Sequence, residues 1–317
     1  MQRTALLLIC CLLLTACGTS TNRTLVTQSR TFYSLAEEDK LPKALRIPLV
    51  NDKGYLFVSG SVNGKRGGTM LFDTGSTLNI IDKGVVNRLG LPQVGEGKTV
   101  GIAGTEGFSW HAVDSLGIGP LDLGVDRAGA LSMHKLMRGL QRSPAGLIGS
   151  ISLMPHPFTV DYQKGELIVY NRKTFVPPKD AQKAELTFYS RLPAVKGKLA
   201  NGKEVLLIID TGADNAVSLP MAVAEWPGIL AAGATGASRA RGVGGDIQTL
   251  SGWLKSLDLF GYNLGGVPVT FEPQTRKPRR TDLPVGRVGG QLLKGFRLTF
   301  DARYRSIWIE FAGEVVE

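Results

Sequence analysis

The amino-acid sequence predicts a mostly β chain built from two diverged copies of one unit. Three observations carry that expectation. An apolar strand runs into the same acidic turn twice, as Met70-Leu71-Phe72-Asp73-Thr74-Gly75-Ser76 and as Leu207-Ile208-Ile209-Asp210-Thr211-Gly212-Ala213. A hairpin signal precedes each turn, Asn63-Gly64 by ten residues and Asn201-Gly202 by nine, and Asn-Gly is the dipeptide that most favours a tight β-turn. Downstream, Gly146-Leu147-Ile148-Gly149 and Arg287-Val288-Gly289-Gly290 each lead to an aspartate twelve residues on, Asp161 after Gly149 and Asp301 after Gly289.

Each copy closes on strand signals, Glu166-Leu167-Ile168-Val169-Tyr170 and Ser306-Ile307-Trp308-Ile309-Glu310. A repeat this long is the signature of a duplicated structural unit. Between the repeats the pattern alternates, with turn residues every eight to twelve positions or so, as in an all-β body. Short helices are expected only at 83–89, 133–140 and 221–225. A proline break with charge around it, Lys173-Thr174-Phe175-Val176-Pro177-Pro178-Lys179-Asp180, divides the copies. The expected boundaries are a first lobe at 44–172, a linker at 173–184 and a second lobe at 185–317. That is enough chain for one two-lobed body or for two small domains.

The start of the chain reads as a bacterial signal peptide over residues 1–16. Met1-Gln2-Arg3 is basic, residues 5–14 are apolar but too few to span a bilayer, and Leu14-Thr15-Ala16-Cys17 follows. Small residues immediately before a cysteine resemble the lipobox, which makes Cys17 the acylated mature N-terminus. Several acyl chains on one residue suffice for stable anchoring. Gly18 is not the aspartate of an inner-membrane retention mark, so the outer membrane facing the periplasm is the expected location. Residues 17–43, rich in Thr, Ser and Asn, read as a lipidated N-terminus and tether. A basic segment blocking the cleft is the alternative, and Glu37, Glu38 and Asp39 dilute the basic character it needs.

Cysteine usage narrows the chemistry. Cys10 and Cys11 lie in the removed segment, so Cys17 is the one cysteine of the mature chain. That excludes an internal disulfide, a cysteine zinc site and a thiol nucleophile. His111, His134 and His156 have no ligand spacing, and there is no Gly-x-Ser-x-Gly elbow, Walker lysine or dinucleotide-binding context. No metal and no cofactor is expected. The chain is basic, with 37 Lys plus Arg against 27 Asp plus Glu. The excess is spread along the sequence, which argues against a nucleic-acid partner and suits an anionic lipid surface. Its densest cluster, Arg276-Lys277-Pro278-Arg279-Arg280, reads as a solvated loop or as a rim steering acidic substrates.

The duplicated turns are where the chemistry lies. An aspartate at the end of an apolar strand is poorly solvated, and a second carboxyl close by makes double ionisation costlier still. Such a pair shares one proton and offers a base and an acid together, which activating water and protonating a peptide leaving group require. Gly75 and Gly212 let the backbone approach the carboxyls, and Thr74 and Thr211 offer hydroxyls to brace one turn against the other.

These motifs resemble the aspartic proteases of the pepsin and retropepsin superfamily, in a single-chain, two-lobed form, over residues 45–312. The second turn, Asp210-Thr211-Gly212-Ala213-Asp214-Asn215-Ala216-Val217, is similar to the retroviral pattern; the first, ending in Ser76, is more pepsin-like. The resemblance implies a bilobed acid-protease fold of two retropepsin-like β-barrel lobes with the active site between them. It makes Asp73 and Asp210 the catalytic pair, with Thr74, Gly75, Ser76, Thr211, Gly212 and Ala213 as active-site support. Asp214 matches the retroviral acid that contacts substrate backbone; a solvated turn carboxylate is the alternative. Gly149 and Gly289 match structural glycines.

Two glycine-rich hairpins stand where the family places its flaps. They are Val100-Gly101-Ile102-Ala103-Gly104-Thr105-Glu106-Gly107 and Arg241-Gly242-Val243-Gly244-Gly245-Asp246-Ile247, making Gly104, Thr105, Gly244 and Gly245 candidate substrate-binding positions. Pepsin's flap tyrosine has no match, Ala103 standing nearest. Phe108 or Trp110 either covers the cleft or belongs to the core. The implied activity is an endopeptidase acting on extended peptide or protein, with a monomer acceptable. The rival readings are a peptide-binding module without turnover and a self-processing protein. Activity toward neutral pH is expected, on the ground that Ser76 offers a hydroxyl to one carboxyl and Ala213 none to the other.

Overall fold

The computed structural model describes residues 32–137, 143–231, 235–274 and 282–313. The expected signal peptide, Cys17, most of the tether, the basic cluster 276–280 and the end of the expected helix 133–140 lie outside them. The fold is two-lobed and mostly β, as the sequence predicts.

The duplication is visible in strand order. In the first lobe the strands run in space Tyr55–Val62, Lys65–Asp73, Gly146–Gly149, Ile80–Asp82, Arg127–Leu131, Gly104–Ala112, Gln93–Gly101. The second repeats this as Leu192–Leu199, Glu204–Asp210, Val285–Gly289, Val217–Pro220, Tyr262–Glu272, Gly245–Leu259, Gly236–Gly242. Each lobe opens with the Asn-Gly hairpin. Asn63 and Gly64 both take positive φ, 51° and 69°, a two-residue turn matching the strand twist. In the second lobe only Gly202 does, at 81°, within a three-residue loop closed by Leu199 N–H donating to Lys203 at 2.9 Å. A bulge at Gly60/Ser61 adds the residue by which the two spacings differ.

Both aspartate-bearing strands are apolar on both faces because they are central. Met70 and Phe72 enter the main core, whereas Leu71 shares the Asp73 face with Phe57, Ile80, Leu131 and Leu147. Parallel pairing with the Gly-x-x-Gly strands, Asp73 opposite Gly149 and Asp210 opposite Gly289, fills the second edge of each. The helix Lys83–Leu89 has the bounds its caps dictate: Asp82 accepts from Gly84 N–H at 2.8 Å, and Gly90 ends it at φ 64°.

The lobes are joined by a shared sheet. Phe158–Asp161 of the first pairs antiparallel with Phe296–Asp301 of the second, Thr159 opposite Thr299. Their hydroxyls hydrogen-bond at 2.7 Å, and the rings of Phe158 and Phe300 stack at 4.7 Å. The tail of the expected linker is strand, Gln182–Glu185 pairing with Ser306–Phe311.

The stretch read as a tether needs correction over its described part. Residues 32–43 are packed on the first lobe. Tyr33–Ser34 pairs with Leu121–Asp122, Glu38 is ion-paired with Arg172 and Asp39 with Lys173, and Leu41 is buried. Two of the three acidic residues that weaken a basic pro-segment, Glu38 and Asp39, attach this strap, while Glu37 pairs with Lys40 inside it. Among the described residues, no helix is long and apolar enough to cross a membrane.

Candidate active site

The two acidic turns meet at the lobe boundary, each held by the other. Thr74 Oγ1 donates to the carbonyl of Ile209 at 2.6 Å, and Thr211 Oγ1 donates to that of Phe72 at 2.7 Å. Each hydroxyl also accepts the other threonine's N–H at 3.0 Å. Both threonines are fully buried, so these four bonds satisfy groups that water cannot reach.

The carboxyls lie directly above this brace. Gly75 N–H donates to Asp73 Oδ1 at 2.8 Å, and Gly212 N–H to Asp210 Oδ1 at 3.0 Å. A Cβ on Gly75 would collide with the Asp210 carboxyl, and one on Gly212 with that of Asp73, so each glycine makes room for the opposite acid. Gly149 and Gly289 lie behind the turns, where a side chain would strike the carbonyls of Ser76 and Leu78, or of Ala213 and Asn215.

Asp73 and Asp210 face one another across the brace, each carboxyl lying against the glycine of the opposite turn. Burial first and the charge of Asp210 second hold the Asp73 carboxyl well above the ordinary carboxylate range. Burial also raises Asp210, but the Arg287 guanidinium and the Gly212 N–H draw it back. The dyad therefore keeps one proton at a pH where isolated carboxyls have lost theirs.

Ser76 corrects the expected basis of the pH behaviour. Its hydroxyl accepts from Leu78 N–H and donates to Leu78 C=O, both at 3.1 Å. It serves its own turn, so the Ser76/Ala213 difference gives no ground for the pH argument. The asymmetry comes from Arg287, whose Nε is 3.6 Å from Asp210 Oδ2 and whose Nη1 donates to Glu272 at 2.8 Å.

Asp214 is exposed at the end of its turn, and the phenol of Tyr55 in the other lobe is pushed far up by burial first and by the Asp214 carboxylate second. Tyr162 is buried near the dyad, which together with burial raises its phenol too. A cavity of about 270 Å³ adjoins the turn after Asp210, lined by Asn215, Trp253 and Gln291 among others.

Both glycine-rich hairpins form, Gln93–Gly101 with Gly104–Ala112 and Gly236–Gly242 with Gly245–Leu259. Their tips touch: Ala103 N–H donates to Val243 C=O at 3.1 Å. Gly104, Gly244 and Gly245 take positive φ of 133°, 97° and 118°, with Thr105 beside them. The tip contact occupies the place where a flap tyrosine is missing. Phe108 is buried among Leu71, Ile80 and Leu147 with Trp110 edge-on at 4.8 Å, which makes it a core residue.

Sequence reasoning did not single out Arg287, Glu272, Tyr55 or Tyr162. For Arg287 a signal was present: laid on the first copy, Gly286-Arg287-Val288-Gly289 puts arginine where Gly146-Leu147-Ile148-Gly149 has leucine.

Two lobes of one topology, each offering an Asp-Thr-Gly turn to a shared dyad under paired flaps, define the class of aspartic proteases. The family model described as aspartyl protease matches residues 58–150 and 195–289, once per lobe and over more than half of the chain, and the chain belongs to that family. Among solved structures it is similar to the aspartic proteinase from Irpex lacteus, at TM-score 0.51 and 12% identity over 86% of this chain and 100% of that one, a likeness of fold. No curated protein matches by sequence.

Proposed function

We propose that this chain is an endopeptidase that hydrolyses peptide bonds of extended peptide or protein substrates, held at the bacterial envelope by an acylated Cys17. The observation that carries the catalytic part is that the threonine brace brings the Asp73 and Asp210 carboxyls together at the lobe boundary; such a pair shares one proton and supplies base and acid at once. The ionised carboxylate removes a proton from a water seated between the acids, and the water oxygen adds to the scissile carbonyl carbon. The protonated acid gives its proton to the carbonyl oxygen. Collapse of the tetrahedral species breaks the C–N bond as the amine receives the proton taken from water, while a hydroxyl of the tetrahedral carbon returns its proton to the other carboxylate and restores the singly protonated dyad. An extended substrate adds its backbone to the flap strands, and alternate side chains enter pockets on either side. Because burial keeps the shared proton at mild pH, cleavage extends toward neutrality, as a periplasmic setting demands.

The test is incubation of the full chain in detergent with an unfolded-protein library at several pH values, with new peptide termini mapped by mass spectrometry. Asp73→Asn and Asp210→Asn should each abolish turnover while far-UV circular dichroism stays unchanged. Full activity in either would overturn the mechanism, and binding without new termini in the parent would make the chain a peptide-binding module. Cys17→Ser should release the protein from membranes or leave it unprocessed; a processed, membrane-bound variant would remove Cys17 as the anchor.

A further inference from the structure

The two lobes present different surroundings to their aspartates, and strand register identifies the difference residue by residue. In the first lobe Leu147 lies opposite Leu71 and Ile80, and Leu131 opposite Asp82. In the second, Arg287 lies opposite Ile208 and Ser218, and Glu272 opposite Pro220. The apolar trio Ile80, Leu131 and Leu147, all buried, is thus replaced by Ser218, Glu272 and Arg287. Arg287 and Glu272 are mostly covered, with side-chain exposures of 28% and 14%. Covered ion pairs rarely stabilise a fold better than apolar packing does, so what sets this trio apart is its field on Asp210.

We propose that Arg287 is a positioning residue that makes Asp210 the ionised, water-activating member of the dyad and leaves the shared proton on Asp73. The inference rests on the peptidase reading and adds to it the assignment of the two roles. The Gly75 and Gly212 N–H donors treat the two acids alike, at 2.8 and 3.0 Å. Arg287 does not: its Nε is 3.6 Å from Asp210 Oδ2, and an opposite charge at that range favours the ionised form. Glu272 opposes this, yet it accepts from Arg287 at 2.8 Å, which aligns the guanidinium and spends part of the glutamate's own charge. Ser218 Oγ, 3.5 Å from Nη1, holds the same fork.

The remaining groups facing the dyad do not reverse the bias. Tyr55 and Tyr162 keep their protons because burial raises both phenols, so they add no charge. Asp214 is exposed, so solvent and salt screen its charge. Arg287 works against burial at both acids, as the foremost opposing influence on Asp210 and as the least of those acting on Asp73. Arg287 itself stays charged, because Glu272 and Asp210 outweigh its own desolvation.

The test compares kcat/KM against pH for the full-length parent, Arg287→Leu, Arg287→Lys and Glu272→Gln. Removing the positive charge disfavours ionised Asp210, so the acidic limb of Arg287→Leu should move up by roughly one to three pH units. Glu272→Gln removes an opposing negative charge and should move it down, while Arg287→Lys stays near the parent. A purely structural role would not shift the limb in opposite directions. An unmoved limb, or two moves of the same sign, overturns the proposal. If Arg287→Leu does not fold, Glu272→Gln and Arg287→Lys still decide it. Carbon-13 carboxyl NMR of the parent, assigned by peaks missing from Asp73→Asn and Asp210→Asn, is independent of turnover. The resonance ionising first should be that of Asp210, and finding it to be Asp73 overturns the assignment. Absence of cleavage by every form would instead refute the peptidase reading, with the NMR result still standing on its own.

Discussion

At the residue scale, the active-site turns hold a carboxyl where its charge is unwelcome. Asp73 is raised well above its ordinary value by burial first and by Asp210 second. Its folded-state pKa therefore exceeds its unfolded one, so its contribution to stability is full below the unfolded value near pH 3.9 and is lost as pH rises through the folded value. Asn at 73 has no such titration and can still accept the Gly75 N–H. Asp73→Asn should thus be more stable than the parent at pH 7, with the gain vanishing below roughly pH 4. Urea unfolding of both forms at the two pH values measures this, and an equal gain at both would refute it. The same residues show what sequence can reveal. Asp73, Asp210 and both threonines were legible because the motif repeats; the hydroxyl of Ser76 was not, since its choice of Leu78 over the carboxyl depends on a rotamer. Arg287 reaches Asp210 across 77 residues of sequence through parallel pairing that no local pattern announces.

At the element scale, the flaps depend on glycine where they meet. Gly244 has φ 97°, and a Cβ there would come within 2.5 Å of the backbone of Ala103 and Gly104, atoms that cannot swing aside. Positive φ costs a non-glycine residue about 1–2 kcal/mol, and the collision separates the tips besides. Gly244→Ala should raise KM roughly tenfold, the equivalent of about 1.4 kcal/mol, with little change in the unfolding midpoint, because the tips lie far from either core. Peptide kinetics together with hydrogen exchange at the Ala103 amide check this; an unchanged KM with full protection of that amide would refute it. The hairpins themselves were readable from Gly and Asn, whose conformational freedom acts locally, and helix Lys83–Leu89 from the caps at Asp82 and Gly90. Residues 32–43 misled because their few apolar groups, Leu41 among them, find burial only on a lobe assembled from distant strands.

At the scale of the whole molecule, the lobes are stitched together at two levels. The threonine brace sends each hydroxyl to the other lobe's carbonyl, and the shared sheet places Phe158–Asp161 beside Phe296–Asp301. Neither lobe can close its own edge alone, since the strand that covers it belongs to the other. Chains with two domains commonly unfold in separate steps, but separation here exposes an apolar sheet edge and orphans the buried threonine bonds, each group costing about 1–3 kcal/mol. Unfolding in urea should therefore be one transition. Trp110 reports on the first lobe and Trp226 and Trp253 on the second, so single-tryptophan variants should give coincident midpoints. Phe300 is fully buried and stacked on Phe158, and Phe300→Ala should cost about 3–5 kcal/mol, lowering both midpoints by the same amount although it lies in one lobe. Midpoints that separate, or a shift confined to the second-lobe probes, would show that the lobes fold independently and that the dyad assembles only after both have formed.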